Sequence, residues 1–378
     1  MIIKNVKVFR ENGVFEDGEI YVDGALIAES GSMSGKEQSE EIVDGGGCYA
    51  IPGLTDVHFH GCMGYDFCAG TKEAVEAIAA YQASQGITTI CPATLTLSEE
   101  QLTKISETAN NYDNDHGAVL CGINMEGPFI SKAKKGAQNE AYIHKPDAAM
   151  FRRLQKAAGG LFKLVDIAPE TEGAMEFIDE VKDEVTVSVA HTTADYETAK
   201  EAFERGAHHV THLYNAMPPL HHRNPGVIGA ACENDKVYVE LICDGIHIHP
   251  ATVRATFKMF GDDRIVMISD SLEASGMPDG DYQIGGLRAH LKGKLITLDD
   301  GTIAGSATNL MGCLRTVVKE MGIPLESAVK CSAVNPAKAI GVYDKYGSLT
   351  PGKAANIVLL DKELNVKAVY INGKKYTA

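Results

Sequence analysis

Over roughly the first 50 residues, apolar and polar positions alternate in short runs, the period of half-buried strands. Val6-Lys7-Val8-Phe9, Gly18-Glu19-Ile20-Tyr21-Val22 and Ala25-Leu26-Ile27 predict strands, separated by Asn12-Gly13 and Asp23-Gly24 turns. The other end of the chain repeats the pattern. Asn356-Ile357-Val358-Leu359-Leu360 and the run from Val366 to Ile371 precede an Asn372-Gly373 turn. These terminal strands predict one small β domain, a β-sandwich, assembled from residues 1–50 and 345–378. A larger unit over residues 51–344 lies between them.

In that middle unit, apolar strand-like runs alternate with helical stretches, the signal of a parallel sheet with helical crossovers. The predicted strands close at His58/His60, Pro92, Glu126, Pro169, His191, His212, Asp244/His247 and Asp270. Helices are predicted at Lys72 to Gln85, Glu99 to Asn110, Pro146 to Ala157 and Tyr196 to Arg205, and later at Leu310 to Met321 and Leu325 to Ala339. A glycine-rich stretch from Gly276 to Gly305 predicts a hairpin excursion. Eight strands favour an α/β fold with a closed (β/α)8 TIM barrel, and an open doubly wound sheet is the alternative.

Size and composition agree with this division. A chain of 378 residues suits a barrel of roughly 250 residues plus a smaller module. At 44% hydrophobic and 23% charged residues it can bury a large core. Its net charge of -16 argues against a nucleic-acid partner, which needs a basic face. A small phosphorylated ligand is still compatible, since one Arg and a few backbone N–H groups can hold a single phosphate. No run approaches the ~18 apolar residues of a membrane span, and the opening Met1-Ile2-Ile3-Lys4 lacks a signal-peptide layout. Nine scattered cysteines, with no Cys-x-x-Cys, read as reduced thiols of a cytoplasmic protein.

The strand ends change the picture most, because a barrel places its chemistry there. Asp56-Val57-His58-Phe59-His60 puts two histidines at i and i+2, on one side of an extended chain, where they can share an ion. Glu126 ends an apolar strand and is followed by Gly127-Pro128. A carboxylate there is costly unless paired or bound to a cation. His191 and His212 each end a further strand. Singly, each of these reads as a hydrogen-bonded core residue. Together, two His and one Glu make a set suited to zinc or iron(II) with a position left for water. Asp270, at the end of the eighth strand, is placed as the general base.

Longer motifs resemble the amidohydrolase superfamily and, within it, the N-acetylglucosamine-6-phosphate deacetylases. The resemblance is carried by Glu126-Gly127-Pro128-Phe129, Lys135-Gly136-Ala137 and His191-Thr192-Thr193-Ala194. His212-Leu213-Tyr214-Asn215-Ala216-Met217-Pro218, Asn224-Pro225-Gly226, Asp244-Gly245-Ile246-His247 and Ser269-Asp270 extend it, and Asn335-Pro336-Ala337 and Gly347 to Gly352 carry it to the C-terminal region. It implies a metal-dependent deacetylase of amino-sugar catabolism, producing acetate and glucosamine 6-phosphate. An enzyme acting on N-acetylgalactosamine 6-phosphate or another N-acylated amine is the alternative. Glu126, His191 and His212 would hold the tightly bound ion, and Asp270 would act as base and then acid. Asn215, Ala216, Arg223 and His247 would contact the sugar phosphate, with Arg223 reaching across a homodimer. Ala137, Gln138, Thr308, Asn309 and Leu310 would line the pocket. Some members lack the first-strand histidines and bind one metal; His58 and His60 here allow a second ion, so the resemblance implies one or two ions per subunit. Where others carry a histidine that polarises the substrate carbonyl, this chain has Gln138, which cannot carry charge.

Overall fold

The computed structural model describes residues 1–29, 41–115, 117–284 and 287–377. Positions 30–40 of the predicted N-terminal β segment and 285–286 of the glycine-rich stretch therefore lie outside the described residues.

Eight short strands form the barrel: β1 (Leu54–Asp56), β2 (Ile87–Ile90), β3 (Ile123–Met125), β4 (Phe162–Ile167), β5 (Thr186–Val189), β6 (Ala207–Val210), β7 (Tyr238–Ile242) and β8 (Ile265–Ile268). Strands β3 to β8 pair in parallel and in chain order. Two seams join them to β1 and β2. At one, Asn124 N donates to Pro92 O at 2.9 Å and Ala93 bridges Asn124. At the other, Asp270 N donates to His58 O at 2.9 Å and His60 N to Ser271 O at 2.7 Å. The sheet thus closes on itself, and its near-continuous burial is why these runs read as apolar blocks rather than alternating strands.

The crossover helices begin where side-chain caps are available. Ser98 and Gln101 make a capping box at Glu99–Asn110. Asp147, not Pro146, starts Ala148–Ala157, because its carboxylate accepts from Met150 N. The predicted helix from Leu325 to Ala339 is one continuous rod with a π turn at Lys330–Val334. Past that turn, Asn335 Nδ2 donates to Asp262 O and Ile265 O, both at 2.7 Å, pinning the rod to the start of β8.

Strands from both termini share one seven-stranded sheet. Its central strand, Ile42–Pro52, lies parallel to Ile2–Phe9 on one side and antiparallel to Ile357–Leu360 on the other. The sheet is strongly curled. A Cβ on Gly373, in the last turn, would come within 2.0 Å of Gly24 O, in the turn before the first edge strand. The curl encloses a separate core of Ile3, Val8, Ile20, Ile357, Leu359 and Tyr370.

The glycine-rich stretch is more than the predicted hairpin. It is a four-stranded antiparallel meander (Gly280–Ile284, Leu287–Lys292, Leu295–Leu298 and Ile303–Ser306). Leu272, Ala289, Leu291, Ile296 and Ala304 give it a small core of its own. Its last strand returns to the barrel through Ser306 N, which donates to Asp270 O at 2.9 Å.

Candidate active site

Every predicted ligand lies within a few residues beyond the C-terminal end of a barrel strand. Glu126 follows β3 directly; His58, His191, His212 and Asp270 each stand two residues past β1, β5, β6 and β8. Three of them leave their strands in left-handed backbone conformations, with φ of 42° at His191, 28° at His212 and 47° at Asp270. Residues other than glycine seldom adopt such angles, and they gather where structure is spent on aiming side chains.

Glu126 is the hub. Its Oε1 lies 3.0 Å from His191 Nε2, 3.3 Å from His212 Nε2 and 3.4 Å from His58 Nε2. Its Oε2 lies 3.3 Å from His60 Nε2 and accepts from Gln138 Nε2 at 2.6 Å. Asp270 Oδ1 stands 3.4 Å from His60 Nε2 and 3.8 Å from His58 Nε2. The donors sort into two groups that share Glu126: His58, His60 and Glu126, and Glu126, His191 and His212.

The ring tautomers bear on whether these groups fit a cation. His58 Nδ1 lies 2.9 Å from the Glu240 carboxylate and His191 Nδ1 2.7 Å from Lys134 O. Both partners can only accept, so each Nδ1 carries a hydrogen, and in the neutral ring each Nε2 is left with a lone pair directed at Glu126. His191 Nε2 and His212 Nε2 are 3.1 Å apart, and His58 Nε2 is buried with no hydrogen-bond partner. Lone pairs crowded in this way are satisfied by a shared cation. Electrostatics point the same way. Burial would raise Glu126, yet the charge of His58 and hydrogen bonds from His191, His212 and His58 hold it well below its ordinary value. Burial would lower His58, but Glu240 and Glu126 raise it well above the usual range. Burial likewise pushes Asp270 up, and His60 and His58 bring it below the ordinary carboxylate value. In the absence of a cation, protons on the rings offset the carboxylate charge; a divalent metal in their place would do the same and leave each Nε2 lone pair to bind it.

These side chains open into a cavity of about 370 Å³, within the size range of small-ligand sites. Ala137, Gln138, Asn215, Ala216 and His247 line it. Gln138 has both ends of its amide engaged, since Oε1 accepts from Thr96 N at 2.7 Å. It orients Glu126 more directly than it addresses a substrate. His247 is aimed by Asp244: Nδ1 lies 2.7 Å from Asp244 Oδ2, whose other oxygen accepts from His247 N at 3.0 Å. Burial lowers the His247 ring, and Asp244 more than offsets this, leaving it raised.

Three predicted pocket residues lie outside the cavity lining, as does Arg223, which was expected to act across a subunit boundary. Arg223 is exposed on the loop before Gly226–Glu233, with Nη1 2.8 Å from His222 Nε2. Asn309 caps the helix Leu310–Lys319 and donates to Tyr81 OH at 2.9 Å. Leu310 is fully buried in the core, and Thr308 is tied back through its N–H to Ser306 Oγ. None of the four lines the cavity. A polar or strand-end position could not reveal this, because helix capping and ligand binding use the same residue types.

Other participants went unrecognised in the sequence. Thr302, Ile303, Ala304 and Gly305 of the meander form one wall, and Asp66 and Lys134 contribute to the lining. Glu240 and Asp56 lie fully buried beneath the ligands. Burial pushes Asp56 up to about 7 against hydrogen bonds from Ser269 and His58 N. The available signal was a lone acid in an apolar run, as in Tyr238-Val239-Glu240-Leu241-Ile242.

Comparison with known proteins agrees with this geometry. The model of the amidohydrolase family matches residues 49–376. An N-acetylglucosamine-6-phosphate deacetylase of Bacillus subtilis is 34% identical over 97% of this chain and 94% of its own. An N-acetylgalactosamine-6-phosphate deacetylase of Escherichia coli O157:H7 is 30% identical over 99% of this chain and 98% of its own. An N-acetyl-D-glucosamine-6-phosphate deacetylase variant from Mycobacterium smegmatis, solved in complex with N-acetyl-D-glucosamine-6-phosphate, superposes with a TM-score of 0.89. It is 30% identical, with 99% of this chain and 98% of that one covered. The chain belongs to the amidohydrolase family, among the relatives of its N-acetylglucosamine-6-phosphate deacetylases.

Proposed function

We propose that this chain hydrolyses the acetamide of N-acetylglucosamine 6-phosphate, yielding acetate and glucosamine 6-phosphate as a step of amino-sugar catabolism. The observation that carries the reading is the Asp270 carboxylate, 3.4 Å from His60 Nε2 and 3.8 Å from His58 Nε2, beside a two-group ligand cluster. Glu126, His191 and His212 would hold one ion, and His58 and His60 a second that shares Glu126. Zinc or iron(II) suits imidazole and carboxylate donors. Such an ion polarises a carbonyl and lowers the pKa of water toward 7.

The chain's own residues supply the remaining chemistry. Asp270 accepts a proton from the attacking water and later delivers it to the departing sugar nitrogen, which leaves poorly as an anion. His247, with its Nδ1–H held by Asp244, presents Nε2 to the cavity, and in the protonated ring that Asp244 favours this nitrogen donates to the developing oxyanion or to the phosphate. With the Gln138 amide engaged on both sides, His247 carries more of that task. Asn215 and Ala216 meet the sugar phosphate in one protomer, and Arg223, exposed and outside the lining of its own cavity, reaches the neighbouring site in a homodimer. Nine free thiols and no paired cysteine support a cytoplasmic location. Among the described residues, no helix is long and apolar enough to cross a membrane.

The second reading is N-acetylgalactosamine 6-phosphate as substrate, favoured by the Escherichia coli relative of that name. Release of the carboxylate from both N-acetyl epimers, their unphosphorylated forms and a longer N-acyl analogue, with and without chelator, decides between them. Preferred, chelator-sensitive turnover of N-acetylglucosamine 6-phosphate supports the main reading. Preference for the galacto epimer transfers it to the second, and chelator-resistant turnover or none sinks both.

A further inference from the structure

Glu240 does not line the cavity, yet it touches both ligand groups. It stands in the middle of β7 with no solvent exposure. Its Oε2 lies 2.9 Å from His58 Nδ1 and accepts from His212 N at 3.0 Å. His58 belongs to one ligand group and His212 to the other. One carboxylate oxygen is therefore shared by two candidate ligands, one from each group.

Each contact has a consequence. A carboxylate at Nδ1 selects the tautomer whose Nε2 lone pair faces Glu126, and it makes that nitrogen a stronger donor. His212 leaves β6 at φ 28°, and its N–H has Glu240 as partner in that turn. A buried carboxylate in an apolar strand is costly without such partners. Its surroundings also include His209, whose Nδ1 lies 3.8 Å from Glu240 Oε1. That separation is too long for a hydrogen bond, so His58 and His212 are the partners that hold the carboxylate.

We infer that Glu240 is a positioning residue that sets the His58 tautomer and the His212 turn together, so that both ligand groups are aimed by one side chain. This rests on the metal-dependent reading of the site. It differs from a barrel-filling role in one respect: removing Glu240 weakens ion binding even where the metal-free fold is intact.

Full-length wild type, Glu240→Gln and Glu240→Leu, stripped of metal, are titrated with zinc against a chromophoric chelator, and their cobalt(II) forms are recorded in the visible. Metal-free thermal melts run alongside. Glu240→Leu is expected to bind zinc about 10- to 100-fold more weakly, with an altered cobalt(II) spectrum. Glu240→Gln, which keeps an oxygen for Nδ1–H, recovers most of the affinity. If Glu240→Leu does not fold, Glu240→Asp replaces it, drawing the carboxylate back by one methylene and giving the same direction of change. Wild-type affinity and spectrum in the truncated variant overturn the inference alone. A wild type that takes up no zinc or cobalt overturns the metal reading and this inference with it.

Discussion

Asp270 shows how much one residue's placement decides. Its strand ends at Ile268, and a left-handed turn at φ 47° then swings the carboxylate to His60. Asp270→Asn keeps the shape and the hydrogen bonding but cannot take up and return a proton. The expected loss in kcat is at least ~100-fold, with bound metal unchanged by elemental analysis. Near-normal turnover in the loaded variant would remove Asp270 from the proton-transfer role. Arg223 offers the contrasting case of an exposed residue outside the lining of its own cavity. Arg223→Ala should cost about 1.5 to 3 kcal/mol of binding, read as roughly a 10- to 100-fold higher KM for the phosphorylated sugar. Activity on unphosphorylated N-acetylglucosamine should stay as it was. Equal losses on both substrates would point to a different phosphate site.

At the scale of elements, the meander after β8 is the unit that sequence patterning described least fully. It packs as four strands on its own small core and presents Thr302 to Gly305 to the cavity. Its return depends on Gly305, at φ 109°, where a Cβ would lie 2.9 Å from the Leu272 side chain and 3.2 Å from Asp270 O. Gly305→Ala should therefore destabilise by about 1 to 3 kcal/mol and displace the turn that carries Asp270. A lowered Tm together with a reduced kcat is the expected result. An alanine variant with wild-type melting and turnover would show that this close approach does not govern the catalytic carboxylate.

At the scale of the whole molecule, five barrel strand ends supply the shared cluster, so metal content reports on the assembled fold. Replacing His58 and His60 together by alanine should halve the bound metal and cut activity, while the Glu126, His191 and His212 group still loads. Elemental analysis of both proteins after identical reconstitution measures this. One equivalent and equal turnover in each would leave a single-ion enzyme, with His247 polarising the carbonyl. Assembly between chains makes a separate prediction. If Arg223 acts in the neighbouring site, mixing Arg223→Ala with a His191→Ala chain should restore part of the activity through hybrid dimers. Mixtures no better than the sum of their parts would confine Arg223 to its own subunit.

Sequence and tertiary structure divided the work along a physical line. Local patterning determined the barrel strands, most of their ends and the candidate ligands, because apolar blocks and isolated acids or histidines at strand ends are legible from neighbours alone. Strand alternation placed His58 and His60 on one side, and the fold brought both to Glu126. What the chain's order could not express were relations between distant segments. Glu240 beneath His58, Gln138 bound to Glu126, and the meander wall beside Asp270 arise only when the sheet closes and the insertion folds back. The same limit explains Asn309 and Leu310, whose types suit a pocket but whose neighbours make them a helix cap and a core residue. Side-chain chemistry is written in the sequence; the partner that chemistry meets is chosen by closure of the barrel.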